Sequence, residues 1–235
     1  MVQQFFIDPR RTASYLAVAL AACAPGTPGV VVPADAPLAS ASAVQGWVAP
    51  TMPSGHQVLR FRWQIQDDRG AAGGRGSARI AGPDSVRLDV VGPLGAGRGA
   101  AVVVGDSAEW TDPPDVIRRL VPSYPLMWAM FGVMRLPPGG AVARGVADSS
   151  GVSWQWNAGP DTVRYQWRQA DRHLVAEARR AGRLIGRVDT DLEESRHPAR
   201  SRLVAPDAPA RLNLTFSESR PSEAFAPDLW IPGRQ

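Results

Sequence analysis

The stretch Ser85–Gly95, with the sequence Ser-Val-Arg-Leu-Asp-Val-Val-Gly-Pro-Leu-Gly, decides how the chain is organised. It begins with apolar residues at every second position, the pattern of a half-buried β-strand. Gly92-Pro93 then ends the strand, because proline cannot donate to a β ladder. The turn places Leu94 between Pro93 and Gly95, although turns usually carry polar residues. Leu94 is therefore either folded under its own loop or available to an apolar partner, and this stretch alone favours the first.

Apolar residues recur at every second position through most of the chain. In the first such run, Leu59, Phe61 and Trp63 alternate with arginine and glutamine. Eleven runs of this kind, separated by turn signals, predict a mainly β fold with one antiparallel sheet of about eleven strands. We expect this sheet to curl into a barrel or an unclosed half-barrel. The runs are residues 59–65, 76–81, 85–91, 100–104, 108–110, 152–157, 162–168, 173–179, 183–189, 199–204 and 211–217.

The block after the fifth predicted strand departs from this pattern and predicts two short helices. Asp112 can cap the first, with Pro113 in its first turn, and this helix should end near Val121. Ser123 can cap the second, which is predicted over residues 124–134 and has almost no polar face. A helix this apolar must be buried or must cover an apolar surface. We expect it to form a lid on the curled sheet.

The N-terminus predicts export and lipid attachment. Residues 1–22 form a predicted signal peptide, in which two arginines precede a short apolar run and small residues precede Cys23. The sequence Leu20-Ala21-Ala22-Cys23 resembles the lipobox of bacterial lipoproteins, whose cysteine is acylated. The apolar run is too short for a membrane span, which takes about 20 residues. A twin-arginine signal is a weaker alternative. Cys23 is the only cysteine, so lipidation is its expected use.

The remaining chain is predicted to divide into a tether, one domain and a tail. Residues 23–52 contain the lipidated cysteine and a stretch rich in proline and alanine, which predicts an extended tether. Residues 53–219 are expected to form the half-barrel domain, and residues 220–235 a proline-rich tail. Position 24 is alanine rather than the aspartate of an inner-membrane retention signal. The expected location is therefore the periplasmic face of the outer membrane.

The basic composition does not by itself predict a nucleic-acid-binding protein. The formal net charge is +4, and all 26 basic residues are arginine. The arginines are spread at alternate positions along predicted strands, and no compact basic run interleaves with aromatic residues. We therefore expect a monomeric protein with no nucleic-acid partner.

No arrangement of reactive side chains predicts an enzyme, a cofactor site or a metal centre. The three histidines, His56, His173 and His197, lack the spacing of metal ligands. The glycine-rich residues 70–76 lie between predicted strands without a following helix, so a phosphate-binding loop is not expected. One acidic group could bind Ca²⁺ weakly but is more typical of a solvated hairpin end. That group comprises Asp189, Asp191, Glu193 and Glu194.

The apolar side of the predicted strands is unusually aromatic. An ordinary barrel core explains this as well as an apolar cavity does, because a curled sheet under a methionine- and tryptophan-rich helix can hold a ligand. Methionine favours the cavity slightly, since its flexible thioether adapts to different shapes. The inward aromatic residues are Trp63, Trp154, Trp156, Tyr165, Trp167 and Phe216.

Three features together resemble the lipoprotein-localisation family, which includes the periplasmic carrier LolA and the outer-membrane receptor LolB. They are the turn Gly92-Pro93-Leu94-Gly95, the helical block of residues 115–140 with Trp128 and Phe131, and the lipobox, which the receptor has and the carrier lacks. The resemblance covers roughly residues 59–217. It implies a LolA/LolB-like unclosed barrel of eleven strands, with a short helical lid over an apolar cavity that receives acyl chains.

The resemblance implies a receptor that accepts acylated lipoproteins from a LolA-type periplasmic carrier and inserts them into outer-membrane lipid. In the receptor, the loop that matches residues 91–95 carries an exposed leucine implicated in delivery to the membrane. Pro93, Leu94 and Gly95 are therefore the expected membrane-insertion loop. The expected ligand-cavity residues are Trp63, Leu88, Val90, Trp110, Trp128, Phe131, Trp154 and Trp167.

Two segments depart from the family pattern. The receptor has an amphipathic helix ahead of its first strand, whereas Pro53 and Gly55 interrupt residues 51–57 here. Residues 220–235 have no counterpart. Two other functions therefore stay open: a carrier or sensor of another lipid or glycolipid on the same fold, and a structural envelope lipoprotein whose closed core binds nothing.

Overall fold

The computed structural model describes residues 29–68, 70–95, 97–114, 121–206 and 210–231, apart from the side chain of Leu94. Their strands are β1 (His56–Asp67), β2 (Gly70–Ala81), β3 (Ser85–Val91), β4 (Arg98–Val104), β5 (Ser107–Asp112), β6 (Val142–Asp148), β7 (Gly151–Ala158), β8 (Asp161–Arg168), β9 (His173–Arg180), β10 (Arg183–Leu192), β11 (Pro198–Ala205) and β12 (Ala210–Ser222). All twelve form one sheet in the order β5-β4-β3-β2-β1-β12-β11-β10-β9-β8-β7-β6. Every pairing is antiparallel. The predicted mainly β fold with an unclosed barrel is confirmed.

The two faces of the sheet differ in polarity. We call the face that packs against helix α2 (Tyr124–Met130) the inner face, and the opposite one the outer face. Leu59, Ile80 and Val86 on the inner face are buried in one core with α2. The outer face carries most of the arginines and carboxylates of the strands. Burial of one face explains the period-two pattern.

Strand β6 was not predicted from the sequence. Gly145 lies opposite Trp154 of β7, and a Cβ atom at Gly145 would come within 2.4 Å of the Trp154 Cβ. This close packing favours a strand of small residues, which carries a weak hydrophobic period. The sheet therefore has twelve strands where eleven were predicted.

The glycine-rich residues 70–76 belong to β2 rather than to a connection between strands. A Cβ atom at Gly76 would lie 2.5 Å from Cε2 of Phe61, and one at Gly74 would lie 3.0 Å from Cε2 of Trp63. The aromatic rings of β1 thus lie across the backbone of β2. Glycine is needed because any side chain would occupy the space that the rings fill.

Helix α2 is shorter than predicted and ends before Phe131. The N–H groups of Phe131 and Gly132 close the last turn on the carbonyls of Trp128 and Ala129, at 2.9 Å each. Gly132 then takes a left-handed conformation with φ of +80°, which ends the helix because glycine tolerates it. A Cβ atom there would also meet Cδ2 of Leu192 at 2.5 Å.

The other predicted caps of the helical block have different roles. Ser123 occupies the N-cap position of α2 but makes no side-chain capping bond. Asp112 is the last residue of β5. Most of the first predicted helix, residues 115–120, lies outside the described residues.

The segment from residue 29 to 52 packs on the sheet and is not the predicted extended tether. Val30 and Ala36 are buried, and the Val30 N–H donates to Oε1 of Glu177 on the outer face at 3.0 Å. The chain then pairs with the edge strand β6, where the Ala39 N–H donates to the Ala143 carbonyl at 3.0 Å. These bonds satisfy backbone groups of a sheet edge that would otherwise be open.

The same segment passes round this edge and enters the inner face as helix α1 (Ala41–Val48) and a 3₁₀ turn (Ala49–Thr51). The Ala43 N–H donates to Oγ of Ser40 at 3.2 Å, which caps the helix. Val44 and Val48, one helical turn apart, are buried. Small residues and this apolar stripe allow a segment of tether-like composition to join the core.

The C-terminal segment is also part of the fold, so the domain does not end at residue 219 as predicted. Strand β12 extends to Ser222, and a 3₁₀ turn covers Pro227–Trp230. The Trp110 Nε1–H donates to the Trp230 carbonyl at 3.3 Å. Nη1 of the buried Arg87 donates to the Leu229 carbonyl at 2.6 Å. The segment therefore covers the outer face of β3 to β5.

None of the helices formed by the described residues combines the length and the apolar character that crossing a bilayer would require.

Candidate ligand-binding site

A cavity of about 500 Å³ lies at one end of the inner face. One wall is the segment from α1 to the start of β1, and the other walls are inner residues of β1 and β2 and the ends of β7, β8, β10 and β11. Its volume is within the range of about 300–1,000 Å³ typical of small-molecule sites. The main apolar side chains that line it are Trp47, Met52, Leu59, Ile80, Phe131, Met134, Val152, Trp167 and Leu192.

The rim of the cavity is polar and charged. Gln57, Asp148, Gln169, Arg196 and His197 line it together with backbone of the strand ends. An apolar floor below a polar rim suits a ligand with an apolar body and a polar head.

Residues 41–54, which we call the cover segment, close one side of the cavity through a few contacts. The Met134 N–H donates to Oγ1 of Thr51 at 3.0 Å, and that hydroxyl donates to the Val48 carbonyl at 2.8 Å. Nη1 of Arg196 donates to the Pro50 carbonyl at 3.0 Å. The remaining described contacts of the cover segment are mainly van der Waals packing, which includes Trp47 against Trp154 with ring centroids 6.0 Å apart.

Helix α2 lies in the core and is not the lid that its sequence predicted. Its residues from Pro125 to Met130 are all buried. Oγ1 of Thr190 donates to the Ala129 carbonyl at 2.8 Å, and the Ser201 hydroxyl donates to the Met130 carbonyl. The bond from Ser201 satisfies the Met130 carbonyl at the helix end, and the bond from Thr190 is a second one to the Ala129 carbonyl, which also accepts from the Gly132 N–H. The helix is therefore fixed to β10 and β11, and the cover segment is the part that closes the cavity.

The predicted cavity residues fall into three groups. Phe131 and Trp167 line the cavity. Trp128 and Trp154 are fully buried in the core behind it; Trp128 Nε1–H donates to the Gly105 carbonyl at 2.7 Å, and Trp154 stacks on Tyr165 at a centroid distance of 5.0 Å. Trp63, Leu88 and Val90 are half-buried on the inner face and pack against the core at the other end of the sheet.

Trp110 corrects the prediction, because it lies on the outer face. Ala108 pairs with Val103 and Trp110 pairs with Val102, so a bulge between these pairs moves Trp110 to the side opposite Ala108. The Arg87 guanidinium lies over the indole, 5.4 Å from the ring centroid. Trp110 therefore supports the C-terminal segment and does not line the cavity.

Two other predicted sites are only partly described. The backbone of Pro93–Gly95 forms a 3₁₀ turn, and the Gly92 N–H closes the loop on the Gly97 carbonyl at 3.0 Å. Cys23 and the side chain of Leu94 lie outside the described part of the chain.

Sequence reasoning missed Trp47, Met52 and the rest of the cover segment. The sequence did contain a signal, since Ser40 is followed by Val44, Trp47 and Val48 at helical spacing. The high proline and alanine content around this short stripe favoured the tether interpretation instead.

The acidic group considered for Ca²⁺ is occupied by cationic side chains. Nδ1 of His173 lies 2.7 Å from Asp191, its Nε2 lies 3.4 Å from Asp189, and Arg187 binds Asp189 at 2.9 Å. The hydrogen bond with Asp189, followed by that with Asp191, raises the pKa of His173 against its partial burial. Burial disfavours the Asp189 carboxylate, but the bonds from His173 and Arg187 lower its pKa well below the usual value. Among the described residues, no cluster of three or more histidine, cysteine or carboxylate groups could hold a metal ion.

Comparison with known proteins relates the architecture to solved structures. No protein-family model and no curated protein matches the sequence. A domain described as an outer membrane lipoprotein-sorting protein of Vibrio parahaemolyticus is similar with a TM-score of 0.55 and 10% identity, over 81% of this chain and 97% of that one. A LolA superfamily protein of Nitrosomonas europaea is similar with a TM-score of 0.53 and 12% identity, over 80% of this chain and 96% of that one. The chain therefore has a LolA-like fold.

Proposed function

We propose that this protein is an outer-membrane lipoprotein that binds the acyl chains of other lipoproteins and helps to insert them into the outer membrane. The cavity beneath the cover segment is the observation that carries the proposal. Its apolar floor can take a hydrocarbon chain, and its polar rim leaves a head group in water. A LolA-type carrier is the expected donor. The proposed role is binding and transfer, without catalysis.

Transfer would proceed by differences in affinity. Burial of an acyl chain against Trp167, Phe131 and Val152 is favourable by about 0.8 kcal/mol for each CH₂ group removed from water. The cover segment can open at low cost because few hydrogen bonds hold it. Lipid on Cys23 would keep the protein at the membrane, and the loop of residues 93–95 would face the bilayer, where Leu94 could enter it.

Acyl binding is tested with a fluorescent fatty-acid probe and the chain from Ala24 to Gln235. All described contacts lie between residues 29 and 231, so this chain keeps the whole described fold. Val152→Trp should fill the cavity and weaken probe binding at least tenfold. Val146→Trp is the matched control, because Val146 is exposed on the outer face of β6. Equal binding by both variants would show that the probe does not occupy this cavity.

Delivery is tested by mixing the same chain with an acylated lipoprotein held by its periplasmic carrier. We expect the lipoprotein to move to the chain and then to liposomes. Leu94→Glu should still accept the lipoprotein but should not pass it on. If neither variant accepts it, the receptor function is wrong.

A closed structural lipoprotein is the second candidate, because α2 already fills the inner face over β9, β10 and β11. It predicts that tryptophan fluorescence does not respond to any acyl probe, whereas a cavity lined by Trp47 and Trp167 should respond.

A further inference from the structure

A row of arginines crosses the outer face of the sheet at the end where β3 and β4 are joined. Arg62 of β1 pairs with Arg75 of β2, Arg75 pairs with Val91 of β3, and Val91 pairs with Arg98 of β4. The next residues in line, Phe61 on β1 and Val90 on β3, pack towards the core. The three arginines therefore share the outer face, and all three are exposed.

These arginines differ from their neighbours because none of them pairs with a carboxylate of the described residues. In the next two rows of the outer face, Arg60 binds Glu218 at 3.2 Å and Arg79 binds Asp89 at 2.6 Å. By contrast, Arg62, Arg75 and Arg98 form no ion pair with any residue that the structure describes. Like charges directly opposite one another on paired strands are destabilising. An arrangement that opposes folding is expected where an external anion binds.

The groove beside the row is rich in guanidinium groups, and it is also lined by Asp89, which Arg79 binds. It has a volume of about 540 Å³, and its walls include the side chain of Ser77. Guanidinium groups bind phosphate oxygens through two parallel hydrogen bonds and remain charged at any physiological pH. Its arginines are Arg60, Arg62, Arg75, Arg79 and Arg220.

The position of the row identifies the source of the phosphate. Val91, within the row, is the last residue of β3, and the loop of residues 92–97 leads from it directly to Arg98. That loop contains proline, leucine, alanine and glycine but no charged residue before Arg98. A short apolar loop flanked by exposed arginines matches the bilayer surface, where acyl chains lie below phosphate groups.

We propose that Arg62, Arg75 and Arg98 bind the phosphate groups of anionic lipids and so fix the loop of residues 92–97 against the bilayer. This proposal rests on the proposed function, because it assigns the membrane-facing surface of the same protein. It adds the class of lipid and the residues that recognise it. The acyl cavity lies on the other face of the sheet, so the two sites can be removed separately.

The test measures binding of the chain from Ala24 to Gln235, which lacks Cys23, to sedimented vesicles. Vesicles of phosphatidylcholine are compared with vesicles that also contain phosphatidylglycerol. We expect binding only to the second kind, and weaker binding at higher salt. The triple variant Arg62→Gln, Arg75→Gln, Arg98→Gln should lose affinity on the order of 100-fold, since each arginine near an anionic surface contributes roughly fivefold. Replacement of the same three by lysine should retain most of the affinity.

A matched control removes three exposed arginines elsewhere, as Arg168→Gln, Arg172→Gln and Arg180→Gln. It changes the net charge equally and should bind almost as the unaltered chain does. Equal losses in the two triple variants would mean that only net charge matters, and would overturn the assignment. Failure to bind anionic vesicles, together with thermal stabilisation by millimolar inorganic phosphate, would identify a free-phosphate site and also overturn it.

The fatty-acid probe distinguishes this failure from failure of the proposed function. The glutamine triple variant should bind the probe normally, and Val152→Trp should bind anionic vesicles normally. Loss of probe binding in the glutamine variant would show that the two sites are not independent and that the row serves the fold instead.

Discussion

Two short helices approach the inner face of the same sheet, and they are held there in different ways. Helix α2 is buried on all sides, and side chains of β10 and β11 bind its last carbonyls. Helix α1, in the cover segment, buries only Val44 and Val48, and Trp47 remains half-buried. The composition would suggest the opposite, since the methionine-rich α2 has the adaptable side chains. How firmly each helix is held therefore depends on which of its backbone and side-chain groups form hydrogen bonds with the sheet.

The largest expected difference in stability is between the alanine variants of the tryptophans in the two helices. Trp128→Ala removes a fully buried ring and its bond to the Gly105 carbonyl, so the free energy of unfolding should fall by about 3–5 kcal/mol. Trp47→Ala removes a half-buried ring from the cover segment and should cost less than half as much. Urea denaturation measures both, and equal losses would mean that α1 is as much part of the core as α2.

Two threonines provide a smaller and chemically matched comparison. Thr190→Val removes one buried hydrogen bond to the Ala129 carbonyl, which should reduce the free energy of unfolding by about 1 kcal/mol. The carbonyl keeps the Gly132 N–H, and Ser201 keeps the Met130 carbonyl. Thr51→Val removes the acceptor of the buried Met134 N–H and the donor to the Val48 carbonyl. It should cost about as much or somewhat more, but it should also speed the release of the fatty-acid probe in stopped-flow measurements. If Thr190→Val also speeds release, α2 moves with the cover segment.

Alanine substitutions at two glycines, one facing α2 and one within α1, should change the free energy of unfolding in opposite directions. An added Cβ at Gly186 would meet Cδ1 of Leu126 at 2.6 Å and Cγ of Pro122 at 2.8 Å, so Gly186→Ala should destabilise by about 1–3 kcal/mol through overpacking. At Gly46 in α1 nothing lies within 4 Å, and Gly46→Ala should stabilise by about 0.5–1 kcal/mol. Thermal unfolding checks both signs. A destabilised Gly46→Ala would show that α1 is packed more closely than this geometry indicates.

The smallest expected effect is a pH dependence of the free energy of unfolding that arises from His173. The pKa of His173 is raised above its usual 6.5 in the fold, mainly by Asp189 and also by Asp191, with Arg168 acting against them. Its contribution to stability is therefore complete below pH 6.5 and is lost as the pH rises through the raised value. Urea midpoints should fall slightly between pH 6 and pH 8.5, and His173→Gln should remove this change. A pH dependence that survives in His173→Gln would have to come from another group.

Much of the strand framework could be predicted, because burial of one face imposes a period of two on each strand. Ser85–Val91 illustrates this, since its predicted and observed limits agree. The pattern failed at β6, where Gly145 and alanine leave little apolar signal, and at Trp110, where a bulge reverses the facing of the side chain. Neither cause is visible in the residues of one strand alone.

The candidate sites were harder to predict, because they depend on which strands become neighbours. The pairing of Arg62 with Arg75 requires the exact register of β1 and β2, and alternation along each strand suggested only scattered arginines. The cavity likewise depends on α1, whose short apolar stripe lies in a stretch of tether-like composition. Phe131 and Trp167 do lie in the cavity lining, since each follows the inward side of its own element.

The N-terminal path has a consequence for how far the protein can reach. Gly29 and Val30 pack against the buried Glu177, and Gly29 is only six residues after Cys23. Six residues span about 20 Å at most, whereas a tether ending at residue 52 would span roughly five times that distance. A lipid on Cys23 would thus confine the domain to a thin layer at the bilayer. Such a domain would not have to diffuse to reach the membrane, and any ligand would have to be delivered to it.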